Sequence, residues 1–400
     1  MEILAPHSKR HREAMIDLWC KIFGFGENAR YFNGRAFCEE GYLDGSHYDW
    51  KASRIGMVDG QIVAHYGVWG YDMRVGSATI RCGGIGAVCT HPDHRKRGYL
   101  LRVANASIDA MRDEGYDVSL LFGINDFYDR VGYVRAFSYR QHAIETDDLP
   151  TADPLRPTRK FKLVRREDTD KLYNRTFAGQ TGTAVRPTFR RAGDIRGEGH
   201  GWRDDRDRLA GYVYVEEDRR GDRLKCYEAV GDPEQVLRVL GRLARRRSFS
   251  SVALMNQPRA TKLIQRVEAE RCEITTRLNV NGGPMARSIS LASTLTKIAD
   301  VLHARLRGSS LSKWRGTLLV DDGDEKVLLR IGARGVTVGE PVKTPHVLKT
   351  KGYAVQLVWG TDAPATLMQD AGMKATGDAA ALAAALFPAQ DPMLLTFDHF

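Results

Sequence analysis

At 400 residues the chain has room for two or three domains. Its 42% hydrophobic and 28% charged residues exclude a disordered protein, and no window approaches the roughly 18 unbroken apolar residues of a membrane span. The net charge of +10 is spread along the chain, which argues against a nucleic-acid partner and fits a solvated surface facing a phosphate-bearing cofactor.

The start, Met1 to His7, has no basic region followed by a long apolar core, so a cytoplasmic location is expected. Cys20, Cys38, Cys82, Cys89, Cys226 and Cys272 show no Cys-x-x-Cys spacing and no clustered His, so reduced thiols and no metal site are expected.

The first elements alternate as in a mixed α/β unit. His11 to Phe23 has helical spacing of Met15, Leu18, Trp19 and Ile22. Ala52 to Tyr66 reads as two strands about Asp59-Gly60, and Tyr71 to Arg81 as a second pair about Gly76-Ser77. Gly84 to Thr90 is a short apolar strand. Arg97 to Glu114 is a helix with Leu100, Leu101, Ala104, Ile108 and Met111 on one face, ended by Gly115. Val118 to Phe122 is the next strand, and a short helix and strand follow through Phe137.

Glu145 to Pro157, with three prolines and several acids, reads as a linker. Beyond it, Leu209 to Val215 and Leu224 to Val230 form a hairpin. Asp232 caps a helix that begins with Pro233, carries Gln235 at its third position and runs to about Arg246. Ser251 to Met255 is the next strand, and Gly282-Gly283-Pro284 marks a second boundary. The last stretch holds a helix from Leu291 to Leu306 and strands at Gly316–Val320, Lys326–Ile331, Gly335–Val338 and Ala354–Trp359. A helix at Ala379–Leu386 follows, and the grouping suggests an α+β unit.

The string from Val88 to Leu101 carries the chemistry. A strand ends, a loop turns through Pro92, and a helix starts near Gly98, where free N–H groups and the positive dipole end suit a pyrophosphate. Arg95, Lys96 and Arg97 add positive charge, and Gly98 lets a phosphate approach the backbone closely.

This junction resembles the signature of the GNAT acetyltransferase superfamily, Arg/Gln-x-x-Gly-x-Gly/Ala. Arg95-Lys96-Arg97-Gly98-Tyr99-Leu100 matches it except at the last place, where Leu100 replaces a small residue. Downstream, Leu120 to Tyr133 follows the superfamily order of strand, short helix bearing Tyr, then Gly-Tyr. The resemblance implies an acetyl-coenzyme A site made by Val88, Cys89, Thr90, Arg95, Lys96, Arg97, Gly98, Tyr99 and Leu100. Asn125 would reach the pantetheine arm. The Val88 N–H would hold the acyl oxygen, and Tyr128 would protonate the departing thiolate.

The whole chain resembles the Eis-like (enhanced intracellular survival) acetyltransferases. That resemblance implies tandem GNAT folds plus a sterol carrier protein-like domain. Residues 1–150 would be the catalytic unit and 151–285 a second GNAT-like unit without the cofactor motif. Residues 286–400 would be the carrier-like domain, whose strands resemble Trp314–Val320 and Tyr353–Gly360. Within the second unit, Arg208 to Gly211 precedes a strand and Arg238 to Gly241 lies in a helix, so neither presents a helix start.

In this family the chain ends in the first domain's site. The Phe400 carboxylate would then serve as base, with a pKa of about 3.3–3.7 that suits orienting an amine better than holding its proton. Asp398 and His399 are alternatives. Trp19, Phe23, Phe25 and Glu27 are candidates for the acceptor pocket. The family implies a primary-amine acceptor (aminoglycoside, small amine or lysine side chain) and a hexamer. The alternative reading is a lipid- or coenzyme A-binding carrier or sensor with a non-catalytic first domain.

Overall fold

The protein is described from a computed structural model over residues 1–24, 34–44, 46–161, 167–188 and 197–399. In chain order, β1 (Glu2–Leu4), α1 (Arg12–Phe23), β2 (Arg54–Val58), β3 (Gln61–Val75) and β4 (Ala78–Thr90) come first. They are followed by α2 (Tyr99–Asp113), β5 (Val118–Gly123) and β6 (Val134–Arg135). Then come β7 (Tyr139–Glu145), β8 (Arg159–Phe161), α3 (Glu167–Thr176), β9 (Ala184–Val185), β10 (Glu198–Arg203), β11 (Leu209–Asp218) and β12 (Arg223–Val230). After them run α4 (Pro233–Arg246), β13 (Ser251–Met255), α5 (Lys262–Glu268), β14 (Glu273–Arg277) and β15 (Gly283–Ser288). The chain closes with α6 (Leu291–Lys297), α7 (Ala299–Arg307), β16 (Gly316–Asp321), β17 (Lys326–Ile331), β18 (Val336–Gly339) and β19 (Val347–Lys349). The last elements are α8 (Ala354–Trp359), α9 (Pro364–Asp370), β20 (Lys374–Ala375) and α10 (Ala379–Leu386).

The architecture is mixed α/β, as expected, with helices flanking mixed sheets. Residues 1–137 and 279–392 form one compact unit, and 138–278 with 393–399 form the other. The first sheet runs β1-β2-β3-β4-β5-β15-β6, and the second β14-β7-β13-β12-β11-β10-β8. Each contains a parallel pair, β4–β5 in the first and β12–β13 in the second, and a helix connects the two strands of each. The helices have one apolar stripe. On α2 it is Val103, Ala104, Ile108 and Met111, and on α4 it is Val236, Leu237, Leu240 and Ala244.

The unit boundaries differ from those expected at 150 and 285. The chain passes to the second sheet at Ser138, so that β7 pairs with β13 and β14. The stretch expected as a linker is docked within that unit: Leu149 is buried, and the Arg245 guanidinium donates to the carbonyls of Thr146, Leu149 and Pro150. β15 then returns to the first sheet and covers β5 from Gly283↔Gly123 to Ser288↔Val118. β6 has only two residues, too few to satisfy that edge.

The third sheet, β18-β17-β16-β19-β20, belongs to the first unit. There Gln356 donates to the Arg135 carbonyl at 2.7 Å, the Thr361 hydroxyl donates to the Ala136 carbonyl at 2.7 Å, and Arg135 pairs with Asp362. Ala354–Trp359, expected as a strand, is a helix. All six residues are buried, so the run shows no period by which to tell helix from strand. Asp322 accepts from the Ala354 N–H at its start, and Gly360 at φ 63° ends it. The helix expected over Leu291–Leu306 breaks at Ile298 into α6 and α7. Among the described residues no helix is long and apolar enough to cross a membrane.

Candidate active site

The site is organised by an irregularity in the first sheet. Along the β3–β4 ladder, His65 faces Cys89 and Gly67 faces Gly86, so Tyr66 alone opposes Ala87 and Val88. This is a β-bulge, and Ala87 sits at φ 47°, a left-handed conformation that costs a non-glycine residue. On the other side of β4, the parallel pairing with β5 runs only from Cys82↔Val118 to Ile85↔Leu121. β4 continues to Thr90 and β5 to Gly123 without further pairing, so the ladder between them ends before Val88, Cys89 and Thr90. Cys89 is buried, and burial raises its thiol pKa far above the ordinary range.

Past Thr90 the chain makes one turn at Pro92–His94 and reaches the basic loop. Arg95, Lys96, Arg97 and Gly98 are all exposed. The Arg95 guanidinium donates to the Thr90 carbonyl at 3.4 Å, tying the loop to the strand end. Lys96 (φ 62°) and Gly98 (φ 73°) are left-handed, which folds the loop back onto the start of α2. Gly98 precedes α2 without a side-chain cap, and a Cβ built on it would meet nothing within 4 Å. The first-turn N–H groups of this 15-residue helix therefore have no side-chain cap, the arrangement in which a helix start can receive an anion. Leu100, the departure from the superfamily pattern, packs half-buried with Tyr99 and Leu101 against the core.

On the β5 side, Tyr128 opens a short turn that Gly132 (φ 76°) ends. Its ring lies edge-on to Phe127 (centroids 4.9 Å) and Tyr133 (6.1 Å). Any side chain on Gly123 would overlap that ring. Burial first, then Tyr133 and Cys89, raises the Tyr128 pKa well above the tyrosine range, so the hydroxyl keeps its proton. Asn125 is exposed in the loop between β5 and Tyr128. That loop is clamped by Asn281, whose amide donates to the Asp126 carboxylate at 2.8 Å and accepts from the Asp126 N–H at 3.2 Å. Nothing in the spacing of the sequence pointed to Asn281, 155 residues away.

The candidate pocket residues are treated differently by the fold. Trp19 is fully buried, edge-on to His65 at 4.9 Å and to Tyr42 at 6.1 Å, and so packs in the core. Phe23 is half-buried at the end of α1. Phe25, Glu27 and Phe400 lie outside the described residues. Asp398, an alternative base, is held by ion-pair and hydroxyl partners. It is fully buried in the second unit, where it accepts from Arg186 at 2.9 Å and from the Thr188 hydroxyl at 2.8 Å. The same Arg186 holds buried Glu228 at 2.6 Å. His399 contacts the Leu394 carbonyl at 3.3 Å.

The second unit repeats the strand–helix–strand frame as β12–α4–β13, with different chemistry at the helix start. The Asp232 carboxylate accepts from the Gln235 N–H at 3.0 Å, and Pro233 takes the first helical position. An internal carboxylate thus fills the place left open on α2 and would repel a second anion. Arg208–Gly211 leads into β11, and Arg238–Gly241 lies inside α4.

Residues 6–136 match the family described as the acetyltransferase (GNAT) domain. By class the chain is an N-acetyltransferase, and the end of the β4–β5 ladder and the uncapped helix start lie within the matched segment. Similar solved structures include a GCN5-related N-acetyltransferase from Anabaena variabilis, 17% identical with a TM-score of 0.76 over 100% of both chains. Another from Kribbella flavida is 16% identical with a TM-score of 0.71, over 98% of this chain and 99% of the other. Eis1 from Mycobacterium abscessus is 15% identical with a TM-score of 0.67 over 100% of both chains. These likenesses concern the fold. No curated protein matches the chain by sequence.

Proposed function

We propose that the chain transfers an acetyl group from acetyl-coenzyme A directly to a primary amine. The observation that carries this reading is the joint placement of a bulged β4 end beyond its ladder with β5, an uncapped α2 start beside three cations, and a protonated Tyr128. When bound, acetyl-coenzyme A supplies an activated thioester.

In this reading the N–H groups at the start of α2, with Arg95, Lys96 and Arg97, bind the pyrophosphate. Cys89 and Thr90 line the acyl arm with their backbone, and Asn125 meets it from the opposite loop. The Val88 N–H donates to the acyl oxygen on which negative charge develops. Tyr128 donates its hydroxyl hydrogen bond to the departing sulfur. A thiol is more acidic than this upshifted phenol, so full proton transfer waits until the amine's proton becomes available. The amine itself must be neutral to attack, and the Phe400 carboxylate orients it.

The Eis-like reading, with 286–400 as a sterol carrier-like part and a hexameric assembly, rests on the resemblance of the sequence, and the full-length likeness to Eis1 supports its fold. The test is thiol release from acetyl-coenzyme A with an aminoglycoside, a polyamine and a lysine peptide. Turnover with one class names the acceptor. Saturable acetyl-coenzyme A binding without turnover on any amine would replace this reading with a carrier or sensor.

A further inference from the structure

The bulge at Ala87 is held by a side chain that no motif singles out. His65 is fully buried on β3, opposite Cys89. Its Nδ1 lies 2.7 Å from the Ala87 carbonyl oxygen, which can only accept, so Nδ1 carries the proton. Its Nε2 lies 2.8 Å from the Tyr48 hydroxyl, and in a neutral ring that nitrogen accepts from the phenol. Burial lowers the His65 pKa to about 4, which keeps the ring neutral and the tautomer single. Tyr48 also stacks on the imidazole (15° between planes), and Trp19 closes its edge at 4.9 Å.

The backbone is shaped to admit this ring. A Cβ on Gly67 would come within 2.7 Å of His65 Cε1 and 2.6 Å of Trp69 Cζ3. The contact made by His65 also falls on one particular peptide. The Ala87 carbonyl and the Val88 N–H belong to the same planar unit, and in a trans peptide they point in opposite directions. A donor fixed on the carbonyl therefore fixes the direction of the N–H, aims it away from the imidazole, and polarises it as a donor. Without that contact, a non-glycine residue at φ 47° has little reason to hold the peptide in this orientation.

We propose that His65, locked by Tyr48, is the positioning residue that orients the Ala87–Val88 peptide so that its N–H meets the acyl carbonyl. This rests on the reading of Val88 as the oxyanion donor, and the experiment separates the two. Acetyl-coenzyme A carrying ¹³C at the acetyl carbonyl is bound to the full chain, and its carbonyl stretch is read by infrared difference spectroscopy. In parallel, dissociation constants for acetyl-coenzyme A and for coenzyme A are measured on each variant.

The native chain should lower the stretch relative to free acetyl-coenzyme A. His65→Leu should return most of that shift and reduce kcat about ten- to hundredfold, less than the loss of a whole oxyanion donor. Coenzyme A affinity, set at the α2 start, should stay within about twofold. His65→Asn puts an amide N–H near the former Nδ1 and should recover most of both signals. If His65→Leu does not fold, Tyr48→Phe, which frees only Nε2, should move the stretch part of the way. An unshifted stretch in the native chain would remove the Val88 reading and this proposal with it. A native shift that survives His65→Leu, or Tyr48→Phe where that is used, overturns the role of His65 alone.

Discussion

At Tyr128 two demands meet. In the proposed reading the hydroxyl keeps its proton until the thiolate leaves, and the ring has to reach the end of the β4–β5 ladder. Burial against Phe127 and Tyr133 meets the first, and the bare Gly123 backbone meets the second. Tyr128→Phe keeps the packing and removes the donor. It is expected to lower kcat by about 10²- to 10⁴-fold, the usual contribution of a positioned acid. Acetyl-coenzyme A affinity should remain close to native by titration calorimetry. Unchanged turnover would assign the proton to another group. His65 adds a pH dependence of stability. Its folded pKa of about 4 lies below the unfolded value of 6.5, so the unfolded chain takes up a proton that the folded one refuses. The groups against the ring, Tyr48 and Cys89, are kept neutral by burial. The resulting stability is complete above pH 6.5 and is lost as pH falls toward 4, by on the order of 3 kcal/mol. Urea melts of the native chain and His65→Asn should therefore converge as pH is lowered from 7 to 4.5. Parallel pH curves would show that the imidazole is not buried neutral.

The contrast between α2 and α4 is the argument at the next scale. Both helices connect a parallel strand pair, yet one begins at a bare left-handed glycine and the other at a capping carboxylate. Gly98→Ala meets no atom within 4 Å, so its cost is the left-handed backbone alone, about 1–2 kcal/mol. Any relaxation moves the first-turn N–H groups, and acetyl-coenzyme A affinity should drop several-fold more than melting temperature suggests. A variant with native affinity would place the pyrophosphate elsewhere. Much of this level was legible in the sequence. The periodicity of α2 and α4, the hairpin turns and the Asp232-Pro233 cap are local signals, and local hydrogen bonding decides them. Ala354–Trp359 reads as a strand and folds as a helix, because a six-residue run buried on every side has no period. His65, Tyr48 and Asn281 carried no local signal: each acquires its role from a strand register or a loop brought close by the fold.

For the whole molecule, the exchange of strands decides what can fold alone. Reading the chain from left to right suggests an independent catalytic piece ending near residue 150. The first sheet instead needs β15, which supplies a six-residue ladder to β5 and buries Met285 and Ala286. In a fragment of residues 1–150, β5 would show an open hydrogen-bonding edge carrying Val118, Leu120, Leu121 and Phe122, which invites association. The same fragment keeps β7, whose partners β13 and β14 are missing. Residues 1–150 should accordingly aggregate or melt without a cooperative transition. Co-production with residues 279–392 should restore a sharp melt, because that segment returns both β15 and Gln356 of α8, with Thr361 and Asp362 just after it, which clasp Arg135 and Ala136. Calorimetry of the two preparations checks this. A cooperative transition in the 1–150 fragment alone would mean that β6 or β7 can close the sheet, and that β15 improves a unit already complete.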